Sequence, residues 1–232
     1  LFYLVKILYR IVPDFYEEIA LALEKIFDTP PDSQELPCIL SFGSWVGGDM
    51  DGNPDVHAKT IRETLIRQQQ LILSTYFNEC QKLAQMLSQS ASRVGFSKAL
   101  QKRIEEYNAL LPGAQLLTPA RHDRMPYRVF FGQIAERVRN TYDSRPNAYD
   151  HPQQLICDVM LAAESLKAHR GMNAGYHAVR RFLIRIQTFG FHLASLDLRQ
   201  HSDIHSEVIA QGLGDEQWAQ RSAAGPSIPT RA

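Results

Sequence analysis

Apolar residues recur at the three- and four-residue spacing of an amphipathic helix along most of the chain, and two short runs, at 38–46 and 192–199, depart from it. Phe15, Ile19, Leu23 and Ile26 mark one helical face after Pro13, a residue suited to a first turn. Ile61, Leu65, Ile72, Tyr76, Cys80, Leu83 and Leu87 mark one face of a long helix from about Val56 to Ser88. Ser97 is placed to cap a helix reaching about Leu110, which Pro112-Gly113 would end. Further helices are predicted over 127–142, 152–169 and 174–188, with Arg145-Pro146-Asn147 and Gly171 as breaks, and another over 201–211. Residues 28–37 and 116–126 read as loops, and no internal repeat interrupts the pattern.

The two exceptions read as strands. Residues 38–46 are bulky, β-branched or aromatic, the pattern of a strand covered on both faces, and Gly47-Gly48 closes it. Residues 192–199 alternate, with Ala194, Leu196 and Leu198 on one side and Ser195, Asp197 and Arg199 on the other. Each strand leads into a polar tip and then a helix. The expected class is mainly α with a few parallel strands, and in such parallel arrangements ligands bind where strands give way to loops.

Composition narrows the choices. With 232 residues and 44% hydrophobic content, the chain can bury a substantial core. Lys plus Arg and Asp plus Glu number 25 each, so no net field draws in nucleic acid or an acidic membrane, and neither partner is expected. Cys38, Cys80 and Cys157 lie far apart and form no Cys-x-x-Cys pair, which points to reduced thiols and a cytoplasmic setting. The apolar start is broken by Lys6 and Arg10, unlike a secretory leader, and is too short to span a bilayer. Both ends read as cuts within a longer chain.

Candidate chemistry concentrates at the two tips. Gly47, Gly48, Asp49, Asp51, Gly52 and Asn53 form a loop dense in small and oxygen-bearing residues. Either its Asx side chains make turns that cap the next helix, or its glycines let backbone approach a ligand. Asp49, Asp51, Asn53 and Asp55 alternate as in a calcium loop, but Pro54 and Thr60 stand where a calcium hand needs Gly and Glu. Arg199, at the tip of the second strand, is either a structural ion pair with Asp197 or a planar clamp for phosphate or carboxylate, and its position favours the clamp. His201 and His205 have a zinc-protease spacing without the required Glu, which favours a capping or solvated role. His177, Arg180, Arg181 and Arg185 read as a solvated basic face. No metal ligand is assigned within the chain.

These residues resemble a known family. The run from Phe42 to Pro54, Phe-Gly-Ser-Trp-Val-Gly-Gly-Asp-Met-Asp-Gly-Asn-Pro, is similar to the glycine-rich signature of phosphoenolpyruvate carboxylase. Leu196-Asp-Leu-Arg-Gln200, followed by Ser202 and His205, resembles that family's third-strand segment, and the likeness extends to roughly Gly212. The tail from Gly214 stays unassigned.

The resemblance implies that residues 1–232 are one central fragment of a phosphoenolpyruvate-binding (β/α) barrel, with its two strands as neighbours and 55–189 as a large helical insertion. It implies a cytoplasmic homotetramer, a lyase that uses magnesium or manganese to turn phosphoenolpyruvate and bicarbonate into oxaloacetate and phosphate, a carbon dioxide fixation that feeds the tricarboxylic acid cycle. Arg199 matches the family's phosphate-binding arginine, the glycine loop lies near the active or effector site, and Asp197 is a supporting residue. The family's Thr-Ala-His-Pro-Thr-Glu motif, its acidic metal ligands and its later catalytic histidine have no counterpart here, so the fragment alone binds no metal and is expected to be inactive. Met50 replaces an arginine that some members link to sugar-phosphate activation, and methionine cannot clamp a phosphate. The rival readings are a non-catalytic helical scaffold or regulatory module, and a calcium-dependent hydrolase.

Overall fold

A computed structural model describes residues 1–28, 36–91, 95–111, 114, 124–215 and 218. The chain divides into two compact units, one made of Leu1–Phe42 and Ile66–Ala194 and the other of Gly43–Leu65 and Ser195–Ala232. Among the described residues the elements are mainly helices, as the periodicity predicts, with a single parallel strand pair formed by the two segments that the resemblance makes neighbours. None of the described helices is long and apolar enough to cross a membrane.

The larger unit begins with a π-helical turn, Leu4–Leu8, that runs into α1, Tyr9–Phe27. Pro13 lies inside this helix rather than in its first turn. A proline there has no N–H to give the carbonyl four residues back. That carbonyl belongs to Tyr9, and Arg185 Nε donates to it instead at 2.9 Å. The buried face also differs from the predicted one. Tyr9, Val12, Tyr16 and Ala20 turn inward, while Phe15 and Ile26 stay exposed. The helix carries two apolar stripes, and the inward one has phenols whose polar ends find partners. Tyr9 donates to Glu79 at 3.0 Å, and the Tyr16 hydroxyl accepts the Ile39 N–H at 2.8 Å.

The long helix α2, Ala58–Met86, matches its expected extent and contributes residues to both units. Ile72, Tyr76, Cys80 and Leu83 are its core face, joined by Gln68, whose Oε1 accepts the Ala194 N–H at 3.1 Å. In α3, Lys98–Leu110, the Ser97 hydroxyl accepts from the Leu100 N–H at 3.1 Å, the predicted cap. Pro126 and Pro152 open α4, Pro126–Asp143, and α5, Pro152–Ala168, where a proline's missing N–H costs nothing. The loops expected at 28–37 and 116–126, and the break at Pro112-Gly113, fall mostly or wholly outside the described residues.

The helix expected over 174–188 is α6, His177–Phe189. Its start is displaced by a π-turn, Met172–Tyr176, that contains Gly175 at φ +112°. A Cβ on Gly175 would sit 2.3 Å from Leu87 Cδ2, so glycine is required by both angle and space. The predicted solvated basic face on α6 is instead an ion-paired seam. Arg181 binds Asp14 and, at 2.7 Å, Glu17, and Arg185 binds Glu79. Apolar burial brings these elements together and their charged margins meet, which periodicity within one helix does not disclose.

The core of this unit centres on Tyr76, Tyr127, Phe130, Phe131, Phe182 and Leu155. Within it lies a carboxylate that sequence patterning did not single out. Asp158, on α5, is fully buried, accepts hydrogen bonds from Tyr107 at 2.6 Å and Tyr149 at 2.7 Å, and pairs with Arg103 and Arg137. The Arg137 guanidinium lies 3.9 Å from the centre of the Tyr149 ring. Such a charge is tolerated only because each oxygen is satisfied.

In the smaller unit the expected strands contract to β1, Gly43–Ser44, and β2, Ser195–Leu196. They pair in parallel, Gly43 opposite Ser195 and Ser44 opposite Leu196. The double-sided cover expected for 38–46 is absent, since Trp45 and Val46 are 57% and 72% exposed. A strand is assigned where a partner supplies hydrogen bonds, and these residues have one partner for only a short ladder. The helix α7, Ser202–Leu213, follows β2 and ends at Gly214 in the left-handed region.

Candidate functional site

The two polar tips come together in the smaller unit. Beyond the ladder, Asp49 and Arg199 form a second parallel bridge. Asp49 lies five residues after Ser44, whereas Arg199 lies three after Leu196, so the first segment must loop out two extra residues between its two pairings. A tight turn absorbs them. The Gly48 N–H returns to the Trp45 carbonyl at 2.9 Å, and Gly47 takes φ +87° within that turn.

The glycines then explain themselves by what they approach. A Cβ on Gly48 would lie 2.5 Å from the Asp197 carbonyl oxygen, and one on Gly43 would lie 2.9 Å from Asp197 Oδ2. A Cβ on Gly47 would meet Thr64 Oγ1 at 2.2 Å. These residues allow close approach within the protein itself. Gly52 differs, with φ +68° and no atom within 4 Å of where a Cβ would stand, so among these loop glycines it alone faces open space. Part of the loop follows the turn-and-cap reading: Asn53 Oδ1 accepts the Asp55 N–H at 3.1 Å in an Asx turn. The next helix is capped by His57, whose Nδ1 accepts the Lys59 N–H at 3.3 Å. His201 repeats this before α7, accepting the Asp203 N–H at 3.3 Å, and so sits at the helix boundary while His205 lies inside.

Arg199 is held mainly through its backbone. Its N–H donates to the Gly48 carbonyl at 3.0 Å, and its carbonyl accepts the Met50 N–H at 2.8 Å. Its side chain is 53% exposed, leaving guanidinium donors open to a ligand. The expected partner is not the observed one. Arg199 Nη1 lies 3.7 Å from Asp49 Oδ2, whereas the Asp197 carboxylate lies beside Gly43. Successive strand residues on one face are held well apart, while the parallel bridge sets residue 49 directly beside 199. The guanidinium carbon also lies 5.7 Å from the centre of the Trp45 ring, a neighbour the sequence reasoning missed. The signal available in the sequence was that each strand leads into a polar tip, which does not state the register.

Chemically, this arrangement offers an accessible planar cation beside an indole and a carboxylate, suited to holding an oxyanion. Among the described residues no three His, Cys, Asp or Glu side chains gather so as to hold a metal ion. These residues therefore do not fit a magnesium or manganese centre by themselves.

Comparison with known proteins bears on the same residues. The family model for phosphoenolpyruvate carboxylase matches residues 1–220. A phosphoenolpyruvate carboxylase of Xanthomonas campestris pv. campestris (strain 8004) is 44% identical over 222 residues, covering 96% of this chain and 24% of that protein. The phosphoenolpyruvate carboxylase of Nitrosomonas eutropha is 32% identical over 214 residues, covering 86% of this chain and 22% of that protein. That of Azoarcus sp. (strain BH72) is 37% identical over 194 residues, covering 77% of this chain and 20% of that protein. The chain thus spans about a quarter of the length of the curated relatives it matches. With both tip motifs inside the matched region, this chain belongs to the phosphoenolpyruvate carboxylase family.

Proposed function

We propose that this chain is a central segment of a carboxylase that converts phosphoenolpyruvate and bicarbonate to oxaloacetate and phosphate, and that Arg199 binds the phosphate. The observation that carries this reading is the parallel bridge between Asp49 and Arg199, which brings the glycine-rich tip and an exposed guanidinium to one place. A guanidinium fork meets phosphate oxygens in two parallel hydrogen bonds, stronger and more directional than an ammonium contact. As charge develops on phosphate and enolate oxygens, a fixed cation stabilises it without reorganising. Gly52, open to space, lets backbone at the loop tip stand next to a ligand.

In this reading the strand pair is part of a (β/α) barrel, residues 55–189 are a helical insertion in it, and the assembled enzyme is a cytoplasmic homotetramer. Magnesium or manganese, held by residues outside this chain, supplies Lewis-acid stabilisation of the enolate. The isolated chain then lacks most of the reaction machinery and is inactive by itself.

The test is Arg199→Ala in the whole carboxylase. Loss of a charge-assisted contact to the reacting group predicts a fall in kcat/KM corresponding to about 2 to 4 kcal/mol. Bicarbonate-dependent oxaloacetate formation with unchanged kinetics would reject the role given to Arg199 and favour a purely structural use of both tips.

A further inference from the structure

We infer that Asp49 is a positioning residue for Arg199, fixing where the guanidinium stands before the phosphorylated substrate arrives. This rests on the phosphate-binding role proposed for Arg199. Three independent features of the smaller unit meet at this carboxylate.

The first is register. The Gly48 carbonyl and Met50 N–H, on either side of Asp49, both bond to the Arg199 backbone, at 3.0 and 2.8 Å. Asp49 therefore cannot drift along the strand relative to Arg199.

The second is the pairing itself. At 3.7 Å, Asp49 Oδ2 is too far from Nη1 for a hydrogen bond yet close enough for direct charge attraction, modest at this exposure. The carboxylate orients the cation without occupying its N–H donors. Those donors stay available to an incoming oxyanion, and the indole of Trp45 limits the guanidinium on another side.

The third is the second oxygen. Asp49 Oδ1 is buried and accepts no hydrogen bond. A buried carboxylate oxygen without a partner is costly, because it is desolvated and gains no bond in return. The cost is understandable where the negative charge serves its neighbour. Asp197, the alternative holder, lies beside Gly43 and makes no ion pair with Arg199 at the distances observed.

Steady-state kinetics of the whole carboxylase separates this inference from the one beneath it. Asp49→Asn raises KM for phosphoenolpyruvate about five-fold, the scale of a half-exposed ion pair, with a smaller change in kcat. Asp49→Ala moves KM in the same direction. In an Arg199→Ala background, Asp49→Asn adds no further rise, because the group it positions is gone. Guanidinium chloride provides a readout that a structural role would not move. The anionic slot left in Arg199→Ala binds free guanidinium and recovers activity, and the double variant recovers none. If Arg199→Ala leaves the kinetics unchanged, the phosphate-binding role fails, and this inference fails with it. If Arg199→Ala is impaired but Asp49→Asn lowers KM or leaves it unchanged, Asp49 repels substrate or is a bystander. Equal guanidinium recovery in the single and double variants also overturns the positioning role while leaving that of Arg199 standing.

Discussion

Tyr107 and Tyr149 both direct their hydroxyls at Asp158, and this shapes how the chain responds to alkali. Burial pushes the Tyr107 phenol up to about 12, with further contributions from the charge of Asp158 and the hydrogen bond to it. Burial and then the same charge raise Tyr149 well above the ordinary tyrosine value. The folded state therefore binds these protons more tightly than the unfolded chain, whose phenols titrate near pH ~10. Their stabilisation is complete below about pH 10 and is lost as pH rises through about 12. Thermal melts across this window should show a falling midpoint, and Tyr107→Phe should reduce the fall. Asp158→Ala should be harsher, leaving Arg137 and Arg103 without their buried counter-charge, at about 3 to 5 kcal/mol by urea unfolding. At this scale the sequence disclosed which residue types carry chemistry. Arg199 stood out as a candidate clamp because a cation closes an apolar strand, but its partner was misread as Asp197, since only the register of the two strands sets Asp49 beside it.

Among the elements, the turn that joins the two pairings of the first strand is the most demanding. Gly48→Ala places a methyl against the backbone oxygen of Asp197, which cannot swing aside as a side chain could. The expected destabilisation is about 1 to 3 kcal/mol, visible as a lower urea midpoint. Gly52→Ala meets no atom, so only its left-handed backbone angle resists, at about 1 kcal/mol. If Gly52→Ala proved the more damaging of the two, the assignment of these glycines to internal approach and open loop would be reversed. Most helix boundaries were readable from periodicity and caps: Ser97, Pro126 and Pro152 stand where the pattern placed helix starts, while the last helix runs two residues past the expected end at 211, to Leu213. Periodicity misjudged α1, because that helix is apolar on more than one face and only its neighbours choose between them. Strand lengths were overestimated for a related reason. A side-chain pattern marks residues able to extend, whereas a ladder also needs a partner's hydrogen bonds.

For the molecule as a whole, the outward face of α1 has a consequence. Ile7, Ile11, Phe15, Ile26 and Phe27 are exposed along the N-terminal helices of the larger unit. An apolar stripe of this kind favours association between copies. Sedimentation velocity of the 232-residue chain should show species that grow with concentration, and Ile11→Glu with Phe15→Glu should suppress them. A single monomeric boundary at all concentrations would contradict this.

Helix positions, the two strand segments and the polar tips following from them were determined by the sequence alone, because periodicity, capping and turn chemistry act over a few neighbouring residues. The family was legible in the same local way, through two motifs that keep their residue order. Tertiary structure alone decided which face of α1 is buried, that Arg181 and Arg185 form a paired seam, that Asp158 carries a buried charge, and that Asp49 stands beside Arg199. Each of these depends on residues distant in the chain being brought within contact, where burial and charge pairing act through space and leave no periodic trace in the order of amino acids.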